Sequence, residues 1–197
     1  MADASPSFSF WDTVSQDAAR VGFTVDPRVP LLSRLLQMHK AMRHKPGFAC
    51  VFWLRVNQLF VRNKSWPGQY RLRMWRMYRF ANDISPYADI GPGLFLPHPV
   101  DITIGGGVRI GGGATIYNGV TIVGISIQGL PWLGDNVTIY TGAKVIKGVR
   151  IGDNAVIGAL TLCSKDVPAD HVMYGIPPNV TIKPYDKLQA ENGSVAE

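Results

Sequence analysis

His98 is the one histidine between His44 and His171, and it is the first place to look for chemistry. It sits in "GLFLPHPVDITIGGG", residues 93–107, between two prolines and ahead of a run of aliphatic residues and glycines. A neutral imidazole can take the proton of an attacking hydroxyl near neutral pH. A turn histidine is equally compatible with a solvated or structural role. The other histidines offer less, since His39 and His44 lie in helical-looking sequence and His171 lies near the end of the patterned region. Cys50 and Cys163 are far apart and have no metal-ligand spacing, so no metal is expected. Two lone cysteines and no recognisable signal peptide lead to the expectation of a reduced, cytoplasmic setting.

The formal net charge is +6, and one segment, "QYRLRMWRMYRF", holds Arg71, Arg73, Arg76 and Arg79 among aromatic residues and methionines. It reads as an amphipathic helix with solvated arginines. Contact of this basic helix, residues 69–80, with the inner surface of a membrane is the alternative. Nucleic acid is not expected, because no binding motif accompanies the charge. The longest apolar stretch, residues 48–60, is interrupted by Arg55, Asn57 and Gln58 and is too short and polar to span a bilayer.

The elements that must position His98 fall into two regions. Residues 1–80 have helical periodicity, with Ser9 as a cap for "FWDTVSQDAARV" and breaks at Asp26-Pro27, Pro46-Gly47 and Trp66-Pro67. From residue 81 to 183 the step becomes six. Aliphatic anchors fall at Ile84, Ile90 and Leu96, then Ile104, Ile110, Ile116 and Ile122, then Leu133, Ile139, Val145, Ile151 and Ile157. Small or branched residues precede most anchors by two, as at Val108, Ala114 and Val120, so both face inward along a short strand. A step of six is that of a parallel β-helix built of hexapeptide repeats, three to a coil. The anchors count out four full coils and the start of a fifth, and residues 184–197 read as a flexible tail. Two insertions break the rhythm, between Leu96 and Ile104 and between Ile122 and Leu133. His98 lies in the first. Irregularities in a solenoid mark the side where loops and ligands gather.

The stretch "NDISPYADIGPGLFLPHPVDITIGGGVRIGGGATIYNGVTIVG" and the exit "YGIPPNV" resemble the serine acetyltransferase family of hexapeptide-repeat acyltransferases. The resemblance runs from about Asp12 to Lys183. It implies a mainly β fold, a left-handed parallel β-helix preceded by a small α-helical region. It further implies homotrimers or dimers of trimers, with acetyl-CoA as co-substrate bound between neighbouring prisms. By position His98 matches the catalytic base and Asp83 the carboxylate that orients it, although an aspartate there also suits a turn cap. Gly124, Thr141 and Ala159 match positions whose backbone meets the pantetheine arm, and Lys183 lies where CoA phosphates would be met.

Departures from the family pattern fall on acceptor recognition. Pro97 stands where relatives have an aspartate, and Gly129-Leu130-Pro131 replaces an Arg-His-Pro. Asp17 matches a surviving acceptor-binding position, although a solvated helix aspartate explains it as well. A zwitterion needs a carboxylate for its ammonium and a cation for its carboxylate. The sequence therefore favours a sugar or polysaccharide precursor as acceptor, in a flat pocket of Pro97, Leu130, Trp132 and Tyr117. Serine O-acetylation for cysteine biosynthesis is the alternative. The C-terminal "ENGSVAE" lacks the isoleucine by which family members dock into cysteine synthase, and no such complex is expected.

Overall fold

Ser9 opens the first helix: its hydroxyl accepts from the Asp12 amide at 3.2 Å, and Asp12 adds an acidic side chain to the first turn. The computed structural model describes residues 9–125 and 129–185, so the expected tail beyond Tyr185 lies outside the described residues. Helix α1 spans Phe10–Ala19, α2 Leu31–His44, α3 Pro46–Arg62 and α4 Trp66–Phe80. Prolines 46 and 67 occupy the first turns of α3 and α4, where a missing N–H costs nothing. A small core of Val14, Ala18, Met38, Ala41, Phe48 and Phe52 joins α1, α2 and α3. Cys50, Val51 and Leu54 point the other way from α3, into the main core of the chain.

That main core is the column inside a parallel β-helix. Its first face stacks β1 (Asp83–Ile84), β3 (Thr103–Ile104), β6 (Thr121–Val123), β9 (Lys144–Ile146) and β12 (Leu162–Cys163). The second face stacks β2 (Asp89–Ile90), β4 (Arg109–Ile110), β7 (Trp132–Leu133) and β10 (Arg150–Ile151). The third stacks β5 (Thr115–Ile116), β8 (Thr138–Ile139), β11 (Val156–Ile157), β13 (His171–Tyr174) and β14 (Thr181–Pro184). Pairing is parallel throughout except between β13 and β14. The register puts like residues above like: Ile84, Ile104, Ile122, Val145 and Cys163 form one inner row. Ile116, Ile139, Ile157 and Met173 form another. No single coil could bury such a row by itself.

The stack has five coils, the fifth being the one whose start the regular anchors reach. The fifth turns through Cys163, Val167, which bridges to Ile151, and Met173. The step there drops to four before returning to six, and this hides the rest of the coil from a search for a constant period. Both insertions bulge at edges of the prism. Residues 97–101 leave the edge between the third and first faces. Residues 124–125 and 129–131 leave the edge between the first and second faces, with an antiparallel bridge from Ile125 to Gly129.

Candidate active site

His98 is exposed on the edge between the third and first faces. The segment under it is tied down twice: the Asn82 amide donates to the Pro99 carbonyl at 2.9 Å, and the Asp101 N–H to the Ala81 carbonyl at 2.8 Å. Residues 81–83 therefore run directly beneath residues 99–101. Above them, Val100, Asn118 and Thr141 each offer a carbonyl to the next coil, at 3.1, 3.0 and 2.9 Å, ending beside Ala159. Gly119 and Gly142 sit in this column at φ of +72° and +73°, conformations that suit glycine. The Thr141 hydroxyl donates to the Asn118 side chain at 3.2 Å. Thr141 and Ala159 are exposed and small, which leaves this edge open along its length.

Asp83 begins β1 on the same edge, but its carboxylate is held by Arg73 of α4 at 2.9 and 3.0 Å. Among the described residues the His98 ring has no hydrogen bond, so the expected pair is not closed. The carboxylate still has acceptor capacity beyond the Arg73 contacts. Arg73 also corrects the reading of α4 as a helix of solvated arginines. Arg76 is likewise turned inward, 1% exposed, and donates to Asn57 Oδ1 at 3.2 Å. Burial lowers its pKa from the ordinary value.

Asp17 lies between α1, α3 and the first coil. It is 1% exposed, takes Arg55 Nε at 2.9 Å and Nη2 at 3.2 Å, and accepts from the Leu94 amide at 2.9 Å. Arg55 donates on to the Ile90 and Gly91 carbonyls, both at 2.7 Å. This network locks α1 and α3 to the first coil, and it gives Asp17 a structural partner in Arg55.

Gly124 and Leu130 lie on the other insertion, at the opposite edge of the first face, where Leu130 packs beside Gly107 and Gly124. Trp132 is on the second face. A single pocket of Pro97, Leu130, Trp132 and Tyr117 is therefore not formed within one chain. Tyr117 instead stacks on Tyr140, ring centres 5.1 Å apart, where the third face meets the His98 edge. Burial, and then the neighbouring Tyr117 phenol, push the Tyr140 hydroxyl above its usual range. Lys183 lies just past the last coil, on β14, exposed, with its ammonium 5.6 Å from the centre of the Tyr174 ring.

Two charges on the His98 edge escape sequence reasoning. Asp101, three residues after His98, is exposed at φ +55°, and one oxygen lies 3.7 Å from where a Gly119 side chain would begin. Lys144 reaches the other side of that glycine, donating to its carbonyl at 2.8 Å and to Thr121 Oγ1 at 2.9 Å. A non-glycine turn residue inside an insertion was the available signal for Asp101; Lys144 gave none. Neither cysteine is a nucleophile here, since both are buried and burial pushes the Cys163 thiol up to about 12.

A cleft of about 1040 Å³ lies away from His98. It separates α1 and α3 from the second face, between Arg20, Arg55, Arg109, Trp132 and Asp135; of the sequence-expected site residues, Trp132 alone is in its lining. Reach of a polar edge, not cavity size, is what recommends the His98 side. A smaller hollow of about 400 Å³ on the third face touches that side at Tyr140.

Residues 131–165 match the family model for the bacterial transferase hexapeptide (six repeats). The serine acetyltransferase of Helicobacter pylori is 31% identical over 154 residues, 73% of this chain and 90% of the relative. The chain belongs to the serine acetyltransferase family. The Synechococcus elongatus serine acetyltransferase is 39% identical over 101 residues, half of this chain. This family member spans about two fifths of the length of that relative and of the Buchnera and Mycobacterium tuberculosis relatives. Among solved structures, Neisseria gonorrhoeae serine acetyltransferase superposes with a TM-score of 0.75 at 25% identity, over 95% of this chain and 70% of its own. The same enzyme in complex with serine gives 0.72 at 28% identity, over 89% and 68%.

Proposed function

We propose that this chain transfers an acetyl group from acetyl-CoA to the hydroxyl of serine. The observation that carries the reading is the likeness to the Helicobacter pylori serine acetyltransferase over 90% of that protein. His98 takes the proton of the acceptor hydroxyl, whose oxygen forms the new ester bond at the thioester carbon. The thioester C–S bond breaks, and the proton passes from His98 to the departing CoA sulfur. Asp83, fixed in direction by Arg73, is the group placed to receive the other ring nitrogen of His98 once substrate orders that side chain. The open column at Thr141 and Ala159 supplies backbone groups suited to the amides of an extended pantetheine arm, and Lys183 a cation for its phosphates.

The absent charges at Pro97 and residues 129–131 argue for a sugar acceptor, whereas each relative reported above is a serine acetyltransferase. Asp101 and Lys144 supply what a zwitterion requires, a carboxylate for the ammonium and a cation for the carboxylate. Because Gly124 and Leu130 lie on a different edge from His98, a complete site requires the Leu130 edge of a neighbouring copy. A closed trimer of prisms meets that need.

The test is thiol release from acetyl-CoA with L-serine and with a panel of sugars and glycans. Turnover on serine is expected, and Asp101→Asn should raise KM for serine about tenfold with little change in kcat, the cost of one charge-assisted contact. Turnover on a sugar and none on serine would reject serine as the acceptor.

A further inference from the structure

Charge is segregated along this chain. Of its 20 Lys and Arg residues, 12 lie between residues 27 and 82, and none of its 14 Asp and Glu residues does. That segment, essentially α2 to α4, carries +12 against −6 for everything else. Arg28, Arg55 and Arg73 are spent on Asp26, Asp17 and Asp83, and Arg76 is buried. Among the described residues the other cations of the segment form no ion pair.

Helix α2 shows what this field surrounds. It is anchored to the helical core by Met38 and Ala41, at 4% and 0% exposure. Its outer side carries two rows at four-residue steps: Leu31, Leu35, His39, Arg43 and Leu32, Leu36, Lys40, His44. All eight side chains are exposed. The leucines are the anomaly, at 54%, 43%, 71% and 64% for Leu31, Leu35, Leu32 and Leu36. An apolar cluster of this kind in water marks a contact surface, and its occupant must also accept a dense positive field.

A second copy of the chain meets the first condition and fails the second, because it would bring one basic surface against another. Nucleic acid meets the second and fails the first, because leucines would be pressed against phosphates. An anionic bilayer meets both: headgroup phosphates face the basic half of the helix, and the leucine half enters the boundary with the acyl chains. We propose that α2 docks this protein on the surface of an anionic lipid bilayer. No helix among the described residues is long and apolar enough to cross a membrane, so the contact is made from one side. The basic α4 singled out by sequence is less available for such a contact, since Arg73 is paired with Asp83 and Arg76 is buried.

The proposal is tested by sedimentation with vesicles of phosphatidylcholine alone and of phosphatidylcholine with about 30% phosphatidylglycerol. Each basic residue near an anionic bilayer strengthens binding about fivefold. The protein should pellet with the anionic vesicles, stay in solution with the zwitterionic ones, and be released progressively by salt. Two double variants, Leu32→Glu with Leu36→Glu and Lys40→Gln with Arg43→Gln, should each lower partitioning at least about tenfold. Their melting curves and their acetyl transfer in solution should match those of the parent, because all four side chains are exposed and far from His98 in the chain. Failure to bind anionic vesicles, equal binding to both vesicle types, or undiminished binding by the leucine variant would overturn it. So would a fall in assembly size on light scattering for the leucine variant, which would make the surface an interface between copies.

Discussion

At the scale of single residues, His98 is the group proposed to move a proton and Asp17 is one that holds the frame. His98→Ala should lower kcat at least about a hundredfold while CoA binding, read by calorimetry, stays intact; unchanged turnover would remove His98 from the mechanism. Asp17→Asn is the complementary case. It leaves the buried Arg55 guanidinium without its carboxylate, a loss of about 3–5 kcal/mol, read by urea denaturation. An Asp17 that bound acceptor would show the reverse, intact stability and a raised KM. The sequence made His98 legible because it interrupts a strict period. It could not do the same for Asp17, whose partner is 38 residues away on another helix. Nor could it for Asp83, whose partner Arg73 is one of four similarly spaced arginines. Charge type is written in sequence; which charge meets which depends on how helices are docked.

At the scale of elements, the docking of α3 onto the first coil turns on Gly47. A side chain added there would run into the Leu96 carbonyl oxygen, a backbone atom that cannot rotate away. Gly47→Ala should therefore destabilise the fold by about 1–3 kcal/mol as overpacking, despite the better helix propensity of alanine. The check is the denaturant midpoint; an unchanged or raised midpoint would show that α3 can shift without penalty. The helices were readable from caps and prolines, Ser9, Pro46 and Pro67 above all, and the coils from their six-residue step. Of the fifth coil only the start was readable, because the step of four from Cys163 to Val167 replaces a repeat with a short cut. The outer face of α2 was misleading in another way. Its leucines satisfy a helical period and so look like core, but the side that packs uses Met38 and Ala41.

At the scale of the whole molecule, the His98 edge and the Leu130 edge bound opposite sides of one face, so the proposed site needs the edges of two copies. Light scattering should give three chain masses; a monomer that acetylates serine at full rate would show that one edge suffices. Periodicity could place both insertions on edges but not say which edges meet, since that is a property of the assembly. The two ends of the solenoid have a consequence of their own. A stack of identical parallel coils is a template for adding more, and an open end invites the next molecule to continue the ladder into a fibre. At the start, Cys50, Val51 and Leu54 of α3 plug the column against Ile84 and Leu96. At the finish, β14 turns back antiparallel on β13 and presents the third face with strands of the wrong direction for another coil. Polymerisation is thereby blocked at both ends, so removing residues 175–185 should convert a discrete particle into one that grows by its own repeat.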